Sequence, residues 1–434
     1  VIADVSARIA RLRAEPGYGT GEVDLTSQIR RVVIIGSSSR GGSSIFAEIL
    51  RRTPQLLHLR AEINPFFVVT GRTFPRSGDS DALGVEHADA RALSAELAQD
   101  AGVAADGLPD VASEHRFAVD LAVRLTLQWP DERFALDTVR AALGDTLSDL
   151  RRNHGWARDF PDPQLFHARF LDRIRRDHPT VNPHYYDLPR ELLNAPRPDG
   201  PPSGFLIEEP PFVTIVPWRR ATADDLAARP LIIKTPSNAY RLPFLRALFP
   251  NADLQLLHLT RNVAASVNGL YDGWRFPGFW SQEVGGLDIH HYTDEFPEWA
   301  SRWWKFDLPP GWQSWRDRPL AEVCGFQWRS AHTAILDWLD GHPNSLRLRF
   351  EDLVGAADAR ERLYADLARW LEIELDEPLA QARSGALPTV MATETPRRRR
   401  WFDRADMLSP ILDDPRSRTL MERLGYDPDP DTWT

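Results

Sequence analysis

The chain has 434 residues, 42% of them hydrophobic, and a formal net charge of -10. That is enough to bury a sizeable core and too acidic for general nucleic-acid binding, which needs a broadly basic surface. No run approaches the about 20 apolar residues of a membrane-spanning helix. The stretch VIADVSARIARLRAEPG reads as amphipathic and basic rather than as a signal peptide, so a cytoplasmic location without a membrane partner is expected. The single cysteine, Cys324, lies in an apolar helical stretch and offers neither a disulfide nor a cysteine-based zinc site.

Residues 1–30 are expected to form an N-terminal helical extension. RVVIIG, residues 31–36, is a continuous apolar run rich in β-branched residues that ends at glycine, the pattern of a buried parallel strand. A glycine-serine loop follows at once, and SSIFAEILRR carries apolar residues at helical spacing until Pro54. QLLHLRAE reads as a second strand. Between residues 71 and 203, prolines, glycines and charges break up helical patterns such as ASEHRFAVDLAVRLTLQ, predicting a mostly helical insertion that ends in the proline-rich linker LNAPRPDGPPSG.

The alternation resumes over residues 204–434. PLIIKTP is a strand, AYRLPFLRALFP a helix, DLQLLHLTR a strand and NVAASVNGLYDGW a helix; further on come a helix across AEVCGFQWRSAHTAILDWLDG, a strand at SLRLRF and a helix across ARERLYADLARWLEI. Strands alternating with helices imply an α/β fold with a parallel sheet in three layers. Its core would be discontinuous, built from residues 31–70 and 204–434.

IIGSSSRGGSSIF, residues 34–46, nearly matches the phosphate-binding loop GxxxxGK[ST], in which backbone amides wrap an anion at a helix N-terminus and a lysine reaches the outer phosphates. Gly36, Gly41 and Ser43 fit that frame. Gly42 stands at the lysine position, so the cradle survives without its charge, and the nearest cation is Arg40. A plain turn joining a strand to a helix is the alternative.

Arg40-Gly41-Gly42-Ser43-Ser44 resembles the [KR]SG[ST][ST] loop of sulfotransferases that use 3'-phosphoadenosine 5'-phosphosulfate (PAPS), whose sheet is of the P-loop nucleotide-binding type. KTPSNAYRLPFLRALFPNADLQLLHLTRN is similar to that family's stretch between a lysine and a 3'-phosphate arginine, and RFEDLV to its recurrent EDL. The resemblance covers residues 31–70 and roughly 205–430. It implies that the amides from Gly41 to Ile45 and the hydroxyls of Ser43 and Ser44 hold the 5'-phosphosulfate, with Arg40 adding charge. It further implies that Lys234 meets the bridging oxygen and Arg261 the 3'-phosphate. The family's serine eight residues after that arginine is Gly269 here, leaving Ser266 or Asn268 to make the side-chain contact. The tryptophan-rich stretch after Arg261 points to a small-molecule hydroxyl as acceptor, with secondary metabolism as the setting, and the helical insertion, which no motif covers, is a candidate acceptor-binding cap.

Glu62, after the second strand, is the expected general base, with Glu208, Glu209 and His115 in reserve. No metal is expected, because the histidines show no ligand spacing. The run Arg397 to Arg400, followed by Trp401, is either a solvated patch or a flap over the bisphosphate and adenine, in which Arg398, Arg399, Arg400 and Trp401 would contact the cofactor. Eight tryptophans between Trp274 and Trp328 are either core or the walls of an acceptor pocket. Two other functions stay open: a nucleotide-dependent kinase, which would need Mg2+ and a loop lysine, and a non-catalytic nucleotide-binding protein of the same fold.

Overall fold

The computed structural model describes residues 1–19, 23–88, 91–202, 204–394 and 397–433. The boundary expected between residues 203 and 204 touches residue 203, which lies outside the described residues.

The main sheet has seven strands: β1 (Arg31–Gly36), β2 (Leu57–Leu59), β3 (Ala101–Ala104), β4 (Trp218–Arg220), β5 (Leu231–Lys234), β6 (Asp253–Thr260) and, last in the chain, Ser345–Arg349. Two short strands, β7 (Gln282–Glu283) and β8 (Trp303–Trp304), pair separately as an antiparallel ribbon, so Ser345–Arg349 is β9. The sheet order is β4-β3-β2-β5-β1-β6-β9. β1 lies parallel between β5 and β6, with Val32 beside both Leu231 and Leu254.

β1 is apolar throughout because both of its faces are covered. Val32 and Ile34 pack with Leu231, Ile233, Phe244 and Leu248 on one side, and Val33 and Ile35 with Phe46, Leu50, Leu257 and Tyr364 on the other. Alternate side chains of a strand point to opposite faces, and a parallel sheet flanked by helices leaves neither face to water.

The sheet is not wholly parallel. β3 pairs antiparallel with both β2 and β4. It comes from within residues 71–203, which are otherwise mostly helical, with helices Arg91–Asp100, Val111–Gln128, Leu136–His154 and Pro163–Ile174. These helices do not stand apart from the rest. Phe117, Leu121, Leu147 and Phe170 share one apolar cluster with Val267, Trp274, Trp304 and Trp328.

A chain of buried ion pairs closes the end of β2. Arg60 meets Asp120 at 2.7 Å, Tyr18 donates to Asp120 at 2.8 Å, and Arg124 bridges Asp100 at 3.0 Å and Glu208 at 2.8 Å.

Candidate functional site

Five parallel strands end on one edge of the sheet, and the segments that leave them there are Ser37–Gly42 after β1, Arg60–Asn64 after β2, Thr235 after β5, Arg261 after β6 and Phe350 after β9. Ligands of open α/β sheets bind at this edge. Residues from all five segments line one cavity of about 540 Å³.

The loop after β1 is shaped by Gly42, whose φ of 93° is left-handed and which caps the helix Ser43–Arg51. A Cβ at Gly42 would run into the Phe350 ring. Glycine at the lysine position is therefore a packing requirement as well as a change in chemistry, because Phe350 lies where a longer side chain would start. The helix has no side-chain cap, so its first-turn amides face the cavity beside Ser43, Ser44 and Ile45. The amide of Gly41 is already bonded to Ser38 O at 3.1 Å, and Gly41 is not among the lining residues. The amide cradle thus begins at Gly42, one residue later than the sequence suggested.

Positive charge reaches the loop from β5. Lys234 Nζ donates to Ser44 Oγ at 2.9 Å and pairs with the Glu62 carboxylate. Glu62 and Lys234 both line the cavity, their side chains 30% and 11% exposed. A carboxylate, an ammonium and the loop hydroxyl are thus joined in one hydrogen-bonded row.

Arg40 has a left-handed φ of 61°. Its guanidinium lies over the Phe279 ring at 5.2 Å and donates to Gly269 O (3.2 Å), Met391 O (2.7 Å) and Thr393 Oγ1 (3.3 Å). Burial first, then the neighbouring Arg261, lowers its pKa to about 10. Gly269 packs beside Arg40: a Cβ there would lie 3.4 Å from Arg40 Cβ, an ordinary contact, with Arg40 Nε and Arg261 Nη1 just beyond.

Met391 also donates its amide to Asp187 at 2.8 Å and receives the Ser44 hydroxyl at its sulfur, 3.6 Å away. Residues 388–392 thereby form a strap pinned to the loop. The strap walls this cavity on one side and a second, of about 1120 Å³, on the other.

Arg261 lines the cavity, donates to Arg40 O at 3.1 Å and lies 4.7 Å from the Phe350 ring centroid. Burial lowers its pKa. Of the two candidates for the missing serine contact, Asn268 is in the cavity wall and accepts from Arg404 at 2.8 Å. Ser266 is fully buried, outside the lining, and bonded to Arg261 O. Residues two apart on a helix face nearly opposite ways, and here it is Asn268 that faces in.

Arg398, Arg399, Arg400 and Trp401 also line the cavity, with Arg397. Arg400 and Arg404 share Asp272, Arg397 pairs with Asp403, Arg398 reaches Val354 O, and Arg399 lies over Phe402. Trp401 is buried beside Phe402 and Trp433.

The reserve carboxylates divide. Glu208 has both oxygens engaged by Arg124, Gln128 and the Val213 amide. Glu209 accepts from Ser281 at 2.9 Å and more weakly from Asn64, and burial, with Asp81 and Glu62 nearby, raises its pKa to about 8. His115 bonds Pro16 O and Arg140 and takes no part in the cavity.

Most of the tryptophans expected as core or pocket wall lie in the core cluster. Trp274, Trp304 and Trp328 are wholly buried in the core, whereas Trp280 joins Phe279 and Phe306 in the cavity wall. Sequence reasoning missed the plug formed by Phe350, although that residue stood inside the RFEDLV motif. It also missed Met391 and Asp187, whose roles depend on tertiary placement. Among the described residues, no group of three His, Cys, Asp or Glu could hold a metal, and no helix is long and apolar enough to cross a membrane.

No family model matches the chain, and no curated protein does. The solved structures it resembles are sulfotransferases. The sulfotransferase domain from the curacin biosynthetic pathway is 12% identical, with 92% of this chain and 99% of that one covered at a TM-score of 0.38. The sulfotransferase domain of the Synechococcus PCC 7002 olefin synthase is 13% identical over 92% and 96%, at 0.37. Sulfotransferase STF9 from Mycobacterium avium is 11% identical over 98% and 85%, at 0.36. At such scores none of them carries the reading of activity, which has to rest on the cavity itself.

Proposed function

We propose that the chain is a sulfotransferase with a P-loop-type core, moving a sulfuryl group from PAPS to a hydroxyl of a small-molecule acceptor. The observation that carries this reading is the row Glu62–Lys234–Ser44 at the mouth of a lysine-free amide cradle. In the same cavity, Arg261 and the run from Arg397 to Arg400 gather positive charge suited to a bisphosphate. The residues fit that co-substrate: the helix N-terminus is uncapped, and Gly42, Ser43, Ser44 and Ile45 at its start all line the cavity.

In this assignment the amides from Gly42 to Ile45 and the hydroxyls of Ser43 and Ser44 hold the 5'-phosphosulfate. Arg261, Asn268, Arg398, Arg399 and Arg400 take the bisphosphate, and Trp401 borders it. Arg40 supplies charge from beside the loop and orients the strap. Glu62 takes the proton from the acceptor hydroxyl, whose oxygen bonds to sulfur as the bond from sulfur to the bridging phosphate oxygen breaks. Lys234 stabilises the charge left on that oxygen. Positioning and fixed charge do the catalytic work, as in phosphoryl transfer. Residues 71–203 reach the second cavity, beyond the strap, and not this one.

Calorimetry with 3'-phosphoadenosine 5'-phosphate (PAP), AMP and ATP plus Mg2+ tests the reading. Removing a charged hydrogen-bond partner is worth about 1.5–3 kcal/mol. PAP should therefore bind at least about tenfold more tightly than AMP, and Arg261→Ala should abolish that difference. Binding of ATP with Mg2+ but not of PAP would overturn it.

A further inference from the structure

Around Glu62 and Glu209 the cavity wall gathers carboxyl groups. Three of them, Glu62, Glu209 and Asp307, line the cavity, and the buried Asp81, outside the lining, couples to both Glu209 and Asp307. Two cations face them. Lys234 is paired with Glu62. Arg241 has its fork filled by Asp81 and by Asn64 Oδ1 at 2.6 Å.

The two remaining carboxyls differ in what they can still do. Asp307 receives Ser39 on one oxygen at 2.5 Å and Tyr240 on the other at 2.8 Å, and both donors are buried. Glu209 receives only neutral donors, Ser281 on one oxygen and Asn64, at 3.4 Å, on the other. It lines the cavity together with aromatic side chains, Phe279, Trp280 and Phe306. A carboxylate in a partly apolar enclosure is stabilised by a charged donor far more than by neutral ones.

We propose that Glu209 is the specificity-determining residue of the acceptor side and binds a protonated amine carried by an aromatic or similarly apolar acceptor. The proposal rests on the sulfotransferase reading, which places the donor among the arginines and leaves the wall around Glu209 to the acceptor. An ammonium there supplies the charged partner that Glu209 lacks and draws it into its ionised form, whereas an anionic acceptor offers no such partner. The raised pKa of Glu209 has the same origin, enclosure beside Asp81 and Glu62, and an arriving ammonium reverses it.

The test uses binding alone, on protein saturated with PAP. Phenethylamine, 2-phenylethanol and 3-phenylpropanoate are titrated by calorimetry into wild type and Glu209→Gln. Phenethylamine is expected to bind wild type at least tenfold more tightly than either of the others, and Glu209→Gln to remove the preference. Equal or tighter binding of 2-phenylethanol, or a preference that survives in Glu209→Gln, overturns the proposal. Should the variant not fold, wild type still decides. Phenethylamine titrations at pH 7 in buffers of different ionisation enthalpy should show net proton release as Glu209 ionises, and no release overturns the proposal. Failure of PAP to bind wild type would instead sink the sulfotransferase reading itself.

Discussion

Replacing Gly42 with alanine tests whether the loop lacks its lysine for reasons of packing. The residue sits at a φ of 93°, and a left-handed conformation costs a non-glycine residue about 1–2 kcal/mol. The new methyl also runs into Phe350, which is 8% exposed and packed against β1 and β6 residues. Forcing extra volume into a packed core costs about 1–3 kcal/mol. The two add to roughly 2–5 kcal/mol, read as a lower urea midpoint at unchanged slope. Adding Phe350→Ala removes the collision and keeps the backbone strain. The double variant should therefore be more stable than the sum of the single effects by about 1–3 kcal/mol. A loss for Gly42→Ala below about 0.5 kcal/mol, the range of a neutral surface change, or strict additivity with Phe350→Ala, would refute the packing argument.

Other outcomes follow from the same geometry. Lys305 is fully buried, bonded to Phe276 O and surrounded by Trp280, Trp299 and Tyr292, and burial pushes its pKa well below the usual lysine value. Between that value and the unfolded pKa of about 10.4 the unfolded chain binds more protons, so this residue's contribution to stability rises with pH. Lys305→Met should flatten that rise between pH 7 and 9 in denaturant titrations without lowering stability at pH 7. Arg124→Ala should destabilise by about 3–5 kcal/mol, because it leaves Glu208 and Asp100 without their shared buried cation. Asp187→Ala removes the bond that holds the Met391 amide. It should speed thermolysin cleavage within residues 387–393 while changing global stability by no more than about 1.5 kcal/mol, and unchanged cleavage would mean that the Arg40 and Ser44 contacts suffice to hold the strap.

Much of the site was legible because its parts sit at strand ends. RVVIIG, PLIIK and LLHLT are apolar runs that stop at a glycine, a lysine and just before an arginine, and topology alone carries those stops to one edge. β3 was not legible. Its four residues, Ala-Gly-Val-Ala, are small and show no alternation, and they pair only because β2 and β4 offer edges on both sides. The choice between Ser266 and Asn268 needed the rotation of their helix, which turns Asn268 toward Arg404, far along the chain, and Ser266 back onto the Arg261 carbonyl at the helix start. Glu209 was visible only as one of several acidic residues. Its distinction comes from what Arg241 and Lys234 are already doing, which no local pattern records.

The ammonium that touches Ser44 belongs to a residue 190 positions further along the chain. A phosphate loop that carries its own lysine is a portable cassette, able to bring cradle and charge together into any strand-loop-helix scaffold. This one cannot travel that way. Residues 34–46 grafted elsewhere would bring amides, hydroxyls and Arg40 but leave the lysine behind, and in the native chain Ser44 meets its ammonium only once β5 has docked beside β1.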